Sequence, residues 1–277
     1  MAVSRVLVTG GTGKTGRRVA AHLAAAGCAA LIGTRSPAAT GHRRFDWTDP
    51  ASAAAFEGCD AAYLVAPTDR SDHLAVMQPL LEAAMRQGVR RFVLLSASLL
   101  EPGGPMMGAV HAWLAANAPE WAVLRPSWFM QNVTEGPHAA TIRQEGALYT
   151  ATGTGRVGFI DAEDIAAAGA AALTAAAPLN GDVVLTGPQA LSYDDAAAII
   201  ATALGRPVRH VALDPAEMTA RLMRQGLPAD YARTLTRMDG IIAAGGEDRT
   251  TPGVRQLTGR EPTAFATFAA RAVAAWR

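Results

Sequence analysis

Four glycines crowd into one short stretch, Val6-Leu7-Val8-Thr9-Gly10-Gly11-Thr12-Gly13-Lys14-Thr15-Gly16. Glycines so placed let a chain turn tightly, bring backbone amides against a pyrophosphate and let a helix lie close on a strand, while the helix N-terminus favours an anion. Gly11-x-Gly13-x-x-Gly16 and Gly10-x-x-Gly13-x-x-Gly16 are both spacings that serve dinucleotides. A flexible turn is the alternative for glycines alone, and the flanks argue against it. An apolar, β-branched run enters the turn, and the alanine-rich segment from Arg17 leaves it and stops at Gly27. Strand, turn and helix therefore predict a dinucleotide cradle built from Gly10, Thr12, Gly13, Lys14, Thr15 and Gly16. A triphosphate-binding loop would need a glycine five residues before Gly13-Lys14-Thr15, and that residue is Val8.

Other candidate binding residues fall where strands should end. Ala29 to Arg35 reads as a second strand, and its end lies about 20 residues beyond Gly16, where an acid would read a ribose hydroxyl and an arginine accommodates a 2′-phosphate. Arg35 with Ser36 favours NADP(H), unless Arg35 is simply a solvated strand-end residue. Phe45-Asp46-Trp47 reads as a short third strand. It leaves Asp46 either at the adenine end of the site or as a turn residue beside the helix start at Asp49-Pro50. Asp60 to Pro67 is a fourth strand with Val65, Ala66 and Pro67 at its carboxyl end, where open α/β sheets bind ligands. Arg91 to Ser98 is a fifth, and Ser96 and Ser98 either face the reacting centre or cap a loop. Trp121 to Pro126 is a sixth, delivering Pro126 and then Trp128, Phe129 and Asn132, which either line a flat substrate or fill a core.

The catalytic inventory is sparse. Among the 25 lysines and arginines there is one lysine, Lys14, so Schiff-base chemistry elsewhere is excluded, as is the Tyr-x-x-x-Lys pair with which many dehydrogenases handle a proton. Where that pair would stand, the chain reads Met107-Gly108-Ala109-Val110-His111. His111 faces either the reactants or the interior. The acids Asp161, Glu163 and Asp164 open an alanine helix and serve as cap and dipole partners, with a catalytic carboxylate pair as the sharper alternative. The six histidines show no metal-ligand spacing, and Cys28 and Cys59 read as buried spacers.

The elements that must hold these residues alternate strand and helix up to Pro188. From there helices dominate, with capping patterns Ser192-x-x-Asp195 and Asp214-x-x-Glu217 and prolines at 228 and 262. The expected class is α/β, a Rossmann-type doubly wound parallel sheet spanning residues 1–187. A small, mainly helical C-terminal substrate lobe spans 188–277, and residues 127–155 contribute to the substrate cleft. Gly245 to Gly253 is the most mobile segment by composition. At 277 residues, 50% apolar and a net charge of +1, with a pI near 7.9, the chain suits a small-molecule partner rather than nucleic acid or a membrane surface. No apolar run reaches the roughly 18 residues that cross a bilayer, and a cytoplasmic monomer or homodimer is expected.

Taken together, the glycine stretch, Phe45-Asp46-Trp47, Tyr63-Leu64-Val65-Ala66-Pro67, Leu124-Arg125-Pro126-Ser127-Trp128-Phe129-Met130-Gln131-Asn132, Leu185-Thr186-Gly187-Pro188 and Leu257-Thr258-Gly259-Arg260-Glu261-Pro262 resemble the NmrA-like atypical short-chain dehydrogenases. Within them the chain is similar to the reductases of ergot alkaloid biosynthesis. The resemblance implies an NADP-binding Rossmann core with a small C-terminal substrate lobe, in a family that also holds quinone reductases and non-catalytic redox sensors. The missing tyrosine and lysine then acquire a meaning. Hydride addition to an iminium carbon gives a neutral amine directly, whereas ketone reduction creates an alkoxide that needs a proton donor. An imine or iminium reductase is the expected activity, with an NADP(H) sensor and a quinone or carbonyl reductase as alternatives.

Overall fold

The computed structural model describes residues 3–277. The run entering the glycine turn is β1 (Arg5–Thr9), and the turn opens into α1 (Gly16–Ala25), β2 (Ala29–Thr34) and the short β3 (His42–Arg44). The alternation continues through β4 (Ala61–Val65), α2 (His73–Arg86), β5 (Arg91–Leu95), α3 (Met107–Asn117) and β6 (Glu120–Pro126). After an excursion that forms α4 (Pro137–Glu145), β7 (Ala147–Thr150) and β8 (Arg156–Val157), the chain resumes the alternation with α5 (Ala162–Thr174) and β9 (Gly181–Leu185). It closes with β10 (Leu191–Ser192), α6 (Tyr193–Leu204), β11 (Arg209–Ala212), α7 (Pro215–Arg224), α8 (Ala229–Ala243), α9 (Gly253–Thr258) and α10 (Phe265–Ala272).

The contacts divide these elements into two units. The first runs to Pro126 and adds Ala162–Leu185 and Gly253–Arg260. Its seven strands pair in the order β3-β2-β1-β4-β5-β6-β9, every ladder parallel, so the order reverses beside β1. Both faces are covered, which is why the central strands are continuous apolar runs rather than alternating ones. Leu7, Leu64, Phe92, Leu94 and Val123 meet Met77 and Leu81 of α2 and Val110 and Leu114 of α3 in one core. On the other face Gly169 of α5 comes so close to Tyr63 that a β-carbon there would stand 3.0 Å from the ring. The Rossmann-type doubly wound sheet expected from the sequence is present.

The expected third strand is displaced. Phe45 to Trp47 lie just beyond β3, which is the polar His42–Arg44. Pairing with Ile32 to Thr34 makes that edge strand, while Phe45 and Trp47 turn inward and stack edge-on at 4.8 Å. Tertiary packing has overridden β propensity here.

The second unit comprises Ser127–Asp161, Thr186–Pro252 and Glu261–Arg277. The boundary expected between residues 187 and 188 is therefore not a single break, because 127–161 clusters with the later helices and 253–260 with the sheet. The helical C-terminal region is as expected. Ser192 with Asp195 and Asp214 with Glu217 form complete capping boxes. Two small ladders, β7 with β11 and β8 with β10, complete the unit. Its core gathers Met130, Ile142, Phe159, Tyr193, Ile200 and Phe265, and the Trp276 indole donates to the Val133 carbonyl at 2.7 Å. The segment expected to be most mobile is anchored instead. Glu247 is 1% exposed and accepts the Ser127 hydroxyl at 2.6 Å and the Arg249 guanidinium at 3.3 Å. Among the described residues, no helix is long and apolar enough to cross a membrane.

Asp239 on α8 makes this unit pH-sensitive. It is buried, its carboxylate accepts the Ala151 amide at 2.9 Å, and burial pushes its pKa up to about 6. A carboxyl whose folded value lies above its unfolded value of 3.8 favours folding while protonated, and it withdraws stability as pH rises through that window, by about 3 kcal/mol in all. Chemical denaturation should therefore find Asp239→Asn gaining on the wild type by about 2 kcal/mol between pH 4 and pH 8. A difference constant with pH would contradict the assignment.

Candidate cofactor site

The reversal of strand order beside β1 opens a crevice at the carboxyl ends of the strands, where doubly wound sheets hold nucleotides. Three strand ends shape it. Gly10 adopts φ +59°, which a β-carbon resists, and turns the chain away from β1. Gly16 begins α1 so close to this turn that a β-carbon there would stand 2.3 Å from the Gly10 carbonyl oxygen and 2.7 Å from the Gly11 Cα. The Gly11 amide donates to the Gly33 carbonyl at 3.2 Å, tying the turn to the end of β2.

Thr9 ties it to β4. Its hydroxyl donates to the Tyr63 carbonyl at 3.1 Å and accepts the Val65 amide at 2.8 Å. The Trp47 indole donates to the Val65 carbonyl at 2.8 Å, which brings the chain beyond β3 alongside β4.

The result is a groove of about 760 Å³ within the first unit. Of the residues singled out in the sequence, Gly10, Thr12, Gly13, Arg35, Ser36, Asp46, Val65, Ala66 and Pro67 line it. Thr15 and Gly16 are buried behind it at the start of α1, and Lys14 is half-buried, its carbonyl accepting from Arg18 at 2.6 Å. Asp46 serves its turn and also reaches the groove. It lines the groove, and its carboxylate takes the Thr48 amide at 2.9 Å and hydroxyl at 2.8 Å. Those bonds, with Arg35 and Arg44 nearby, hold it below the usual carboxylate range and therefore ionised.

Sequence reasoning missed Phe45, Trp47, Thr48 and the loop Thr68, Asp69 and Arg70, which also line the groove. The loop follows directly on Val65 to Pro67, so extending the strand-end rule by three residues would have found it. A glycine cradle, an arginine at the end of β2 and a groove of this size fit an adenine dinucleotide.

Ser98 and His111, the residues considered for catalysis, follow β5. Ser96 stands just past the end of β5, Arg125 lies within β6 opposite Val184 of β9, and the Ser96 amide donates to the Leu124 carbonyl at 2.8 Å. The Arg125 guanidinium donates to Asp182 at 2.9 Å and to the Ser98 carbonyl at 2.9 Å, and it also pairs with Glu101. It thereby fixes the turn that follows β5. His111 stands one turn into α3, buried, with its ring 5.6 Å from that of Trp121. Burial holds its pKa below the usual imidazole value against the opposing pull of Asp182. Ser96 Oγ, His111 Nδ1 and Arg125 Nε are all buried without a hydrogen-bond partner among the described residues. Pro126 is buried at the end of β6. Trp128, Phe129 and Asn132 belong to the second unit, where Trp128 is half-buried against the apolar core and Phe129 bridges to Ile160.

The comparisons with known proteins follow this geometry. A family model described as NAD(P)H-binding matches residues 10–176, so the chain belongs to the NAD(P)H-binding family. Agroclavine dehydrogenase of Claviceps fusiformis is 41% identical over 276 residues, covering 95% of each chain. Among solved structures, an NADPH-dependent quinone oxidoreductase from Escherichia coli complexed with NADPH superposes with a TM-score of 0.83 at 24% identity, over 96% of this chain and 99% of that one. NmrA, a negative transcriptional regulator solved with NAD, gives a TM-score of 0.75 at 15% identity over 99% and 96%. The protein is an NAD(P)H-dependent oxidoreductase of NmrA-like fold, related to the ergot alkaloid reductases.

Proposed function

We propose that this oxidoreductase uses NADPH to deliver hydride to the carbon of a C=N bond in a small imine or iminium substrate of alkaloid-like secondary metabolism. The observation that carries the reading is the start of α3. Met107 and His111 occupy the positions where a tyrosine and a lysine would manage a proton, and burial keeps His111 uncharged at neutral pH. An uncharged imidazole is a poor acid, and hydride addition to an iminium cation calls for none; an imine reacts the same way once its nitrogen has taken a proton from solvent to become the iminium.

NADPH supplies the hydride when bound. The chain supplies the rest: Gly10 to Gly16 seat the pyrophosphate at the N-terminus of α1, and Arg35 with Ser36 meets the 2′-phosphate. Arg125 keeps the turn after β5 in place through Ser98 and Glu101, so that the reacting atoms meet in a dry, oriented encounter. Trp128, Phe129 and Asn132 offer aromatic and amide groups to a flat cation. The near-full-length relatedness to a protein named agroclavine dehydrogenase supports the same substrate class.

The test is NADPH oxidation, followed at its absorbance, against a panel of cyclic imines, enones and quinones. Turnover with the imines is expected. Consumption confined to the quinones, or binding without any turnover, would overturn the proposal in favour of a quinone reductase or a sensor respectively.

A further inference from the structure

Arg70 lines the groove on the β4 side, while Arg35 and Ser36 line it on the β2 side. Its guanidinium is engaged by Asp72 in a two-pronged pair, Nε to Oδ1 and Nη2 to Oδ2 at 2.5 Å each, with the two side chains 31% and 54% exposed. Asp72 in turn sits at the N-cap position of α2, where an aspartate ordinarily accepts a backbone amide of the first helical turn, yet it makes no such bond. The first helical residue after it, His73, is 2% exposed, with the backbone of Arg70 and Pro67 beside its ring. The start of α2 thus lacks its side-chain cap in the arrangement seen here, and the carboxylate that would supply it is held by a groove-lining cation.

We propose that Arg70 is a phosphate ligand of the bound dinucleotide held in reserve by Asp72, and that cofactor binding exchanges the Arg70–Asp72 pair for an Arg70–phosphate pair. The proposal rests on the dinucleotide occupying this groove. An exposed carboxylate pair is readily given up. A phosphate presents the same two-pronged geometry with more charge. Released, Asp72 is free to take the amides of Leu74 or Ala75 and cap α2, so the loop from Thr68 to Asp72 is ordered by the same event that binds the cofactor.

Calorimetric titration of the full chain with NADPH and with NADH tests this in the wild type, Arg70→Gln, Asp72→Asn and the double variant. Arg70→Gln should weaken NADPH by at least about tenfold. Asp72→Asn removes the competitor and should tighten NADPH several-fold, and the double variant should match Arg70→Gln, because the competitor matters only while Arg70 is present. A fall in the NADPH to NADH preference of Arg70→Gln identifies the 2′-phosphate as the ligand, and an equal loss for both cofactors identifies the pyrophosphate.

Unchanged binding in Arg70→Gln would overturn the proposal. So would Asp72→Asn weakening binding, which would make Asp72 a support for Arg70 rather than its competitor, or tightening that persists in the double variant. Melting curves without dinucleotide verify that each variant folds. A wild type that binds neither cofactor would refute the occupancy of the groove itself, a result distinct from any of these.

Discussion

Gly16→Ala should weaken dinucleotide binding by on the order of a hundredfold and leave a less stable chain. A β-carbon at this position would lie 2.3 Å from the Gly10 carbonyl oxygen, 2.7 Å from the Gly11 Cα and 2.9 Å from the Gly10 carbonyl carbon. All three are backbone atoms, so no side chain can swing aside. Relief requires α1 to withdraw from the turn or the turn to open. Overpacking of this kind costs about 1–3 kcal/mol or more of stability. The loss of binding should be of comparable size, on the order of a hundredfold, because the amides proposed to seat the pyrophosphate are the ones displaced. Thermal unfolding and a dinucleotide titration on the same preparation check both effects. Normal affinity in a folded Gly16→Ala protein would show that the turn does not hold the cofactor.

Arg35→Glu should reverse cofactor preference. Arg35 is exposed, lines the groove just beyond β2 and carries one of the positive charges that keep Asp46 ionised. Charge reversal both removes a charge-assisted partner of the 2′-phosphate and sets a carboxylate against it. A charged hydrogen bond contributes about 1.5–3 kcal/mol, so removal with repulsion should lower the NADPH to NADH affinity ratio by about a hundredfold or more. NADH, which has a hydroxyl at that carbon, should lose little and can gain a glutamate partner. Equal weakening of both cofactors would mean that Arg35 supports the groove without reading the phosphate.

How far the sequence could be read depended on how local each constraint was. The strand, turn and helix around Gly10 to Gly16 were legible because the constraint lies within a few bonds: a left-handed turn at Gly10 and a close approach at Gly16 admit little besides glycine. The capping boxes at Ser192 and Asp214 were legible for the same reason. The third strand was misplaced because Phe45 and Trp47 carry β propensity that their packing does not use, while the real strand is a polar edge made by its neighbour.

Longer-range features were hidden. Arg70 becomes a groove residue only when the ends of β1, β2 and β4 converge, and periodicity in one segment says nothing of that. The sharing of 127–161 and 253–260 between units is likewise a property of contacts rather than of any local pattern. Glycines at 245 and 246 suggested mobility, but the adjacent Glu247 is bound by residues that include the distant Ser127.

The chemistry at α3 can be tested by a reaction that needs no proton. A preformed N-methylated cyclic iminium salt, mixed with the protein and NADPH under single-turnover conditions, should be reduced at a rate that is flat between about pH 6 and pH 9. His111→Ala should leave that rate within about threefold of the wild type, since burial already keeps the imidazole uncharged. A rate that follows the ionisation of a protein group, is lost in folded His111→Ala, or is zero while a quinone consumes NADPH would contradict hydride delivery without a proton donor.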